Sequence, residues 1–164
     1  MTQTFPVRPF LPRDTAPLRE LFAQSIDELC TEDYDDDQRL AWISRAEDAA
    51  AFGKRLAGMV TLVVQVDSDY GGFASLKDNT VIDMLYVSPH YAGEGIGATL
   101  VETLERLAAG RGAKEISVAS SETAVMFFEA RGYIASSRNL VPIDDQWLSN
   151  TTLVKQLGAE AGKT

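Results

Sequence analysis

The sequence predicts an α+β domain, a mixed, mostly antiparallel twisted sheet of six to seven strands flanked by helices. Three observations lead there. Three β-rich runs between Met59 and Val87 are separated only by Asp67–Tyr70 and Lys77–Asn79, connections short enough to demand an antiparallel meander. A glycine-rich loop after Val87 then opens one amphipathic helix, which must cross over to Glu115–Ser120 as a parallel neighbour. Finally, 164 residues without internal repeat or linker suit a single domain with a buried core. That domain spans 1–158, and the segment 159–164 reads as a mobile tail.

Taken in order, Val7-Arg8-Pro9-Phe10 is an edge strand, because proline would break a central one. Asp14 is placed to N-cap a helix from Thr15 to Cys30, with Pro17 in its first turn and Leu18, Leu21, Phe22, Ile26 and Leu29 along one face. An acidic stretch, Glu32 to Asp37, precedes a helical Gln38–Ile43. Asp48–Leu56 is a further short helix, and Met59–Val66, Gly71–Leu76 and Thr80–Val87 form the meander. The helix from Ile96 to Ala109 carries Leu100, Val101, Leu104 and Leu107 at helical spacing and ends near Gly110 or Gly112. Ser121 can cap Glu122–Arg131, which Gly132 ends, and Ile134–Val141 and Thr151–Leu157 close the sheet.

Composition narrows the function. Fifteen Lys and Arg against twenty-four Asp and Glu give a formal charge of −9, which repels nucleic acid. No run approaches the roughly eighteen apolar residues of a membrane span, and the start at Met1 lacks a signal peptide's basic and apolar regions. One cysteine, Cys30, excludes an internal disulfide; it fits a cytoplasmic location and a small core residue. The single His90 has no partner cluster, so no metal is expected.

The stretch richest in chemistry is Val81–Ala98. A buried strand stops at Ser88-Pro89, and Gly93, Gly95 and Gly97 recur every second residue before the helix. Such a loop leaves main-chain N–H groups open at the positive end of a helix dipole, a seat for phosphate or pyrophosphate. A Walker A loop is excluded, since no lysine lies between Lys77 and Lys114. Gly93–Ala98 formally fits the dinucleotide pattern, but the next strand ends in Ser120 where an acid is needed, and only about sixty residues remain for a parallel sheet. A ligand-free turn would not need three alternating glycines.

The third possibility fits. Leu85-Tyr86-Val87-Ser88-Pro89, followed by Gly-x-Gly-Ile-Gly and an amphipathic helix, resembles motif A of the GNAT acyl-CoA N-acetyltransferases. Ala124-Val125-Met126-Phe127-Phe128-Glu129-Ala130-Arg131-Gly132-Tyr133 resembles that family's motif B. The Tyr34…Gln38…Trp42 segment and the double phenylalanine are similar to a group of small bacterial members of mostly unassigned substrate. The resemblance implies acetyl-CoA as donor, direct transfer to a small amine or amino compound, and pairing of two copies as a possible assembly. It implies that Leu85, Tyr86 and Val87 bind pantetheine through their backbone, with a main-chain N–H, that of Leu85, polarising the thioester. Ala92, Gly93, Glu94, Gly95, Ile96, Gly97 and Ala98 would hold the pyrophosphate, and Ser121 and Phe128 would lie beside the cofactor.

Two positions depart from the pattern. Ala92 stands where the family carries Arg or Gln, beside an acidic Glu94, and Phe128 stands where many members carry a proton-donating tyrosine. An acyl-CoA-binding module with little catalysis is therefore the alternative, as is a transferase acting on a protein or peptide amine. Substitutes for the missing acid would be Ser120, Ser121, Tyr86 or a water. Asp83, an acid inside an apolar strand, is the candidate general base, with a carboxylate pKa raised by apolar surroundings, or else a structurally satisfied side chain. Tyr34, Gln38 and Trp42 at four-residue spacing either wall the acceptor pocket or belong to a solvated, capped helix; Phe73 is core or pocket wall.

Overall fold

A computed structural model describes residues 5–158, so the expected tail at 159–164 lies outside the described residues. Seven strands form one sheet: β1 (Val7–Pro9), β2 (Val60–Val66), β3 (Asp69–Lys77), β4 (Val81–Val87), β5 (Glu115–Ser121), β6 (Ile134–Ile143) and β7 (Gln146–Gln156). Their spatial order is β1-β2-β3-β4-β5-β7-β6, and only β4 and β5 run parallel. Two-residue turns join β2 to β3 and β6 to β7, and three residues, Asp78 to Thr80, join β3 to β4. Asp78 and Asn79 both take positive φ (51° and 62°) between β3 and β4, the geometry of a hairpin turn that Asp and Asn tolerate.

Helices cover both faces. The helix α4 (Ile96–Gly110) and the short α5 (Val125–Glu129) pack on one side, where Leu100, Val101 and Leu104 are fully buried against Val64, Ala74, Leu76 and Ile116. On the other side α1 (Thr15–Leu29) and α3 (Ala49–Ala57) bury Leu18, Phe22, Ile26, Phe52 and Leu56 against Val63, Phe73 and Met84. A third, smaller cluster joins Cys30, Tyr34 and Ala41 to Ile143 and Leu148 of the closing hairpin. The helix α2 spans Asp36–Ile43.

Several local expectations are corrected. Asp14 makes no side-chain cap for α1. Its carboxylate instead receives both Arg8 Nη atoms at 2.8 Å, the Leu11 N–H at 2.8 Å and the Tyr70 hydroxyl at 2.6 Å, fastening the start of α1 to β1 and β3. Burial alone would push this carboxyl up; the bonds from Arg8, Tyr70 and Leu11 outweigh it and hold the pKa at about 2. The helix expected over Glu122–Arg131 is only a 3-10 turn at Glu122–Ala124 leading into α5, and Ser121 does not cap it. Strands β6 and β7 meet at a tight turn, Asp144-Asp145, so β7 begins five residues before the Thr151 expected.

Candidate active site

The site begins with a flaw in the sheet. β4 pairs with β5 only at Val81↔Ser117 and Ile82↔Val118; beyond those two residues the strands diverge. On its other side, β4 pairs with β3 as Leu76↔Ile82 and then Ser75↔Met84, so Asp83 is the extra residue of a β-bulge. The bulge reverses which face each later residue takes. Ile82 packs with the α4 side, whereas Met84 and Tyr86 pack with the α1–α3 side and Leu85 and Val87 return to the α4 side. The Ser88 N–H donates to Gly71 O at 2.9 Å, toward β3. Since successive residues of a strand direct their amides to opposite sides, Leu85 and Val87 aim theirs into the gap beside β5. That is an unpaired sheet edge inside the molecule.

Downstream, the chain turns through Gly93 (φ 81°) and Gly95 (φ 97°), left-handed positions that glycine adopts without steric cost. Gly95 is the N-cap of α4, and no side chain caps it. The first helical bond is Thr99 N–H to Gly95 O at 3.0 Å, so the amides of Ile96, Gly97 and Ala98 precede the ladder at the dipole's positive end. Ile96 sets the helix start close to the sheet. A Cβ on Gly71 or Gly72 of β3 would lie 2.7 or 2.8 Å from its side chain, so the glycine pair forms the notch that receives it.

A cavity of about 300 Å³ opens where β4 and β5 part. Its floor includes Asp83, Met84, Leu85 and Tyr86 of β4 and Val118 to Ser121 of β5; Phe128 closes one side. Tyr34, Trp42, Arg45 and Arg55 come from the helical cover, and Leu148, Ser149 and Asn150 from β7. The Trp42 indole donates its Nε1–H to the Tyr86 hydroxyl at 3.2 Å. Tyr86 stacks at an edge on Phe22, with centroids 4.7 Å apart. Burial pushes the Tyr86 phenol well above its ordinary pKa, only partly offset by the Trp42 bond, so it stays protonated at neutral pH. Tyr34 fastens the cover down. Its hydroxyl donates to Ser149 O at 2.6 Å and accepts the Glu122 N–H at 2.9 Å, and burial pushes its pKa up to about 12.

The structure thus gathers Tyr34, Trp42, Asp83, Leu85, Tyr86, Ser121 and Phe128 around one cavity. It separates others. Val87 and the Ala92–Ala98 loop lie outside the cavity lining. Tyr34 precedes α2 rather than sharing a helical side with Trp42, and the two rings meet at 5.3 Å through tertiary packing. Gln38 is half-buried and does not line the cavity; it completes a capping box with Asp35 and donates to Trp147 O at 2.9 Å. Phe73 is fully buried beneath Tyr86, not a cavity wall. Asp83 is not isolated among apolar groups either, because Arg55 reaches its Oδ2 with Nη2 at 2.8 Å and Nε at 3.2 Å. Sequence reading missed Arg45, Arg55 and the β7 segment, which carry no local pattern pointing to β4. Among the described residues, no group of three or more His, Cys, Asp or Glu side chains could hold a metal ion, and no helix is long and apolar enough to cross a membrane.

Comparison with known proteins agrees with this geometry. Residues 30–144 match the family model described as the acetyltransferase (GNAT) domain. A curated relative, the uncharacterized N-acetyltransferase YafP of Escherichia coli (strain K12), is 26% identical over 144 residues, covering 88% of this chain and 91% of the relative. A crystal structure titled GCN5-related N-acetyltransferase: aminotransferase, class-II, from Rhodopseudomonas palustris superposes with a TM-score of 0.94 at 45% identity, covering 96% of this chain and 98% of that one. The PaiA N-acetyltransferase from Thermoplasma acidophilum, in complex with coenzyme A, shares the fold with a TM-score of 0.78 at 17% identity over 94% and 99% of the two chains. A parallel pair that separates at a bulge, a cavity where the pair parts and a glycine-lined helix entrance are how this chain, which belongs to the GNAT family of N-acetyltransferases, is built.

Proposed function

We propose that this enzyme transfers the acetyl group of acetyl-CoA directly to a small amine held in the cavity beside β4. The observation that carries the reading is the gap between β4 and β5, which opens at Asp83 and leads to the cavity. The similar PaiA structure holds coenzyme A, and this chain offers matching features: free strand amides for the pantetheine and uncapped helix amides for the diphosphate. The thioester supplies an activated acetyl group; the residues of the chain orient it and manage protons. The Leu85 N–H donates to the thioester oxygen as negative charge develops there. Asp83 receives the acceptor's ammonium proton, directly or through a water, so that the nitrogen lone pair can attack. As the C–N bond forms and the C–S bond breaks, Tyr86 donates a hydrogen bond to the leaving sulfur, and the second proton that the nitrogen sheds in becoming an amide ends on that thiolate to give free CoA thiol. Its hydroxyl accepts from Trp42, and its own hydrogen has no acceptor among the described residues. Phe128, where many relatives carry a phenol, supplies shape and dryness instead of a proton.

A cavity of about 300 Å³ that also takes the thioester end suits a small acceptor rather than a protein segment. Isothermal titration with acetyl-CoA tests the seat. The wild type should bind, and Gly95→Val, which forces a branched residue into φ 97°, should weaken binding about tenfold. Absence of heat with the wild type at millimolar acetyl-CoA would refute the reading.

A further inference from the structure

The charge of the cavity runs against the charge of the chain. Overall the protein is at −9, yet the charged residues lining the cavity are Arg45, Arg55 and Asp83, two positive and one negative. Arg55 is neutralised, since its guanidinium spans the Asp83 Oδ2. Arg45 is not: among the described residues no carboxylate lies within 4.0 Å of it, and its only polar contact is a long 3.5 Å approach to Pro142 O. Arg45 stands exposed at the rim of the cavity, where no carboxylate of the described residues is set against it. Asp83 shows the complementary vacancy. Both of its contacts with Arg55 use Oδ2, and Oδ1 has no donor among the described residues.

We infer that the acceptor is an amino-carboxylate, with its amine nitrogen against Asp83 and its carboxylate against Arg45. This rests on the acetyl-transfer reading above and adds the substrate's second charge. A cation without a partner and an anion with one free oxygen, facing one small cavity, match a zwitterion of small size. The planar guanidinium presents paired N–H donors that fit a carboxylate's two oxygens. An amine without a carboxylate would leave Arg45 to water, and a dicationic one would be repelled by it. The Arg55–Asp83 pair keeps the Asp83 carboxyl in place, so the amine end is fixed while the carboxylate end sets the reach.

The test is a thiol-release assay with saturating acetyl-CoA and matched acceptors: α- and ω-amino acids of increasing chain length, their amides, and the corresponding decarboxylated amines. Amino acids of one length range should exceed their amides in kcat/KM by about 10- to 100-fold, mostly through KM, as for a charge-assisted contact. Arg45→Ala should collapse that ratio toward one, and Arg45→Lys should restore part of it. Acetyl-CoA affinity by calorimetry should stay within about twofold, because Arg45 stands apart from the α4 entrance. Amides or plain amines used as well as the acids, or a ratio untouched by Arg45→Ala, would overturn the inference. So would tight acetyl-CoA binding with no amino acid acetylated, which leaves the donor seat intact. Loss of acetyl-CoA binding in the wild type is the separate outcome that removes the underlying reading, and this inference with it.

Discussion

On the proposed reading, β4 divides the molecule into two halves that bind by different means. On the α4 side, the groups offered to a ligand are main-chain amides: Leu85 and Val87 in the gap and the first turn of α4. On the α1–α3 side they are side chains drawn from distant parts of the sequence, Tyr34, Trp42, Arg45 and Arg55 from the helical cover and Ser149 and Asn150 from β7. Amide geometry is set by a short stretch of chain and depends little on which side chains are present. A side-chain cavity exists only after tertiary folding, and each wall residue can change without disturbing the others' backbone. The proposed donor half can therefore serve one invariant ligand, whereas the proposed acceptor half can be retuned by its side chains.

The largest effect should come from the acceptor half. Asp83→Asn keeps the size of the bulge residue but removes its charge and its pairing with Arg55; kcat/KM should fall by about 10²- to 10³-fold, while calorimetric acetyl-CoA affinity changes less than about twofold. A parallel loss of both would show that the halves are not separable at β4. Next comes acid. The frame of the acceptor half is tied by Asp14, whose folded pKa, about 2, lies below its ordinary value of 3.8. Such a depressed carboxyl contributes stability that is complete above about pH 4 and is lost as pH falls through 2. The shift amounts to about 2 kcal/mol for this fully buried group. Thermal melts at pH 6, 4 and 2.5 should show Asp14→Asn less stable than wild type at the top of the range and the gap closing toward the bottom. A pH-independent gap would rule the linkage out. The smallest effect belongs to the amide half. Ala92→Arg adds a cation beside the exposed Glu94 loop and should tighten acetyl-CoA binding about five- to tenfold by calorimetry without altering acceptor KM. No tightening would mean that amides alone govern the diphosphate.

The same division explains what could be read from the sequence. The meander, the α4 crossover and the glycine turns were legible because their signals are local: alternation, helical spacing, and left-handed residues at Gly93 and Gly95. Asp83 was visible as an acid in an apolar strand, but its partner Arg55 is 28 residues away and nothing in the sequence couples them. The four-residue spacing of Tyr34, Gln38 and Trp42 suggested one helical side; Asp35 captured Gln38 in a capping box, and the helix began after Tyr34. Phe73 followed strand alternation, and only the register with Tyr86 puts it underneath rather than alongside the cavity. The proposed acceptor specificity rests on Arg45, which lies in a short turn with no motif around it.

The bulge at Asp83 also dictates which genetic changes the strand can survive. Side-chain replacement there alters chemistry but leaves the count of residues intact. Deleting Asp83 would instead let Ile82 and Met84 follow one another opposite Leu76 and Ser75: the ladder would close regularly, Met84 to Val87 would keep their faces, and the kink at the point where β4 leaves β5 would be lost. One codon lost would thus straighten the strand without shifting its register, so the extra residue itself, and not the order of those after it, is what holds the two strands apart.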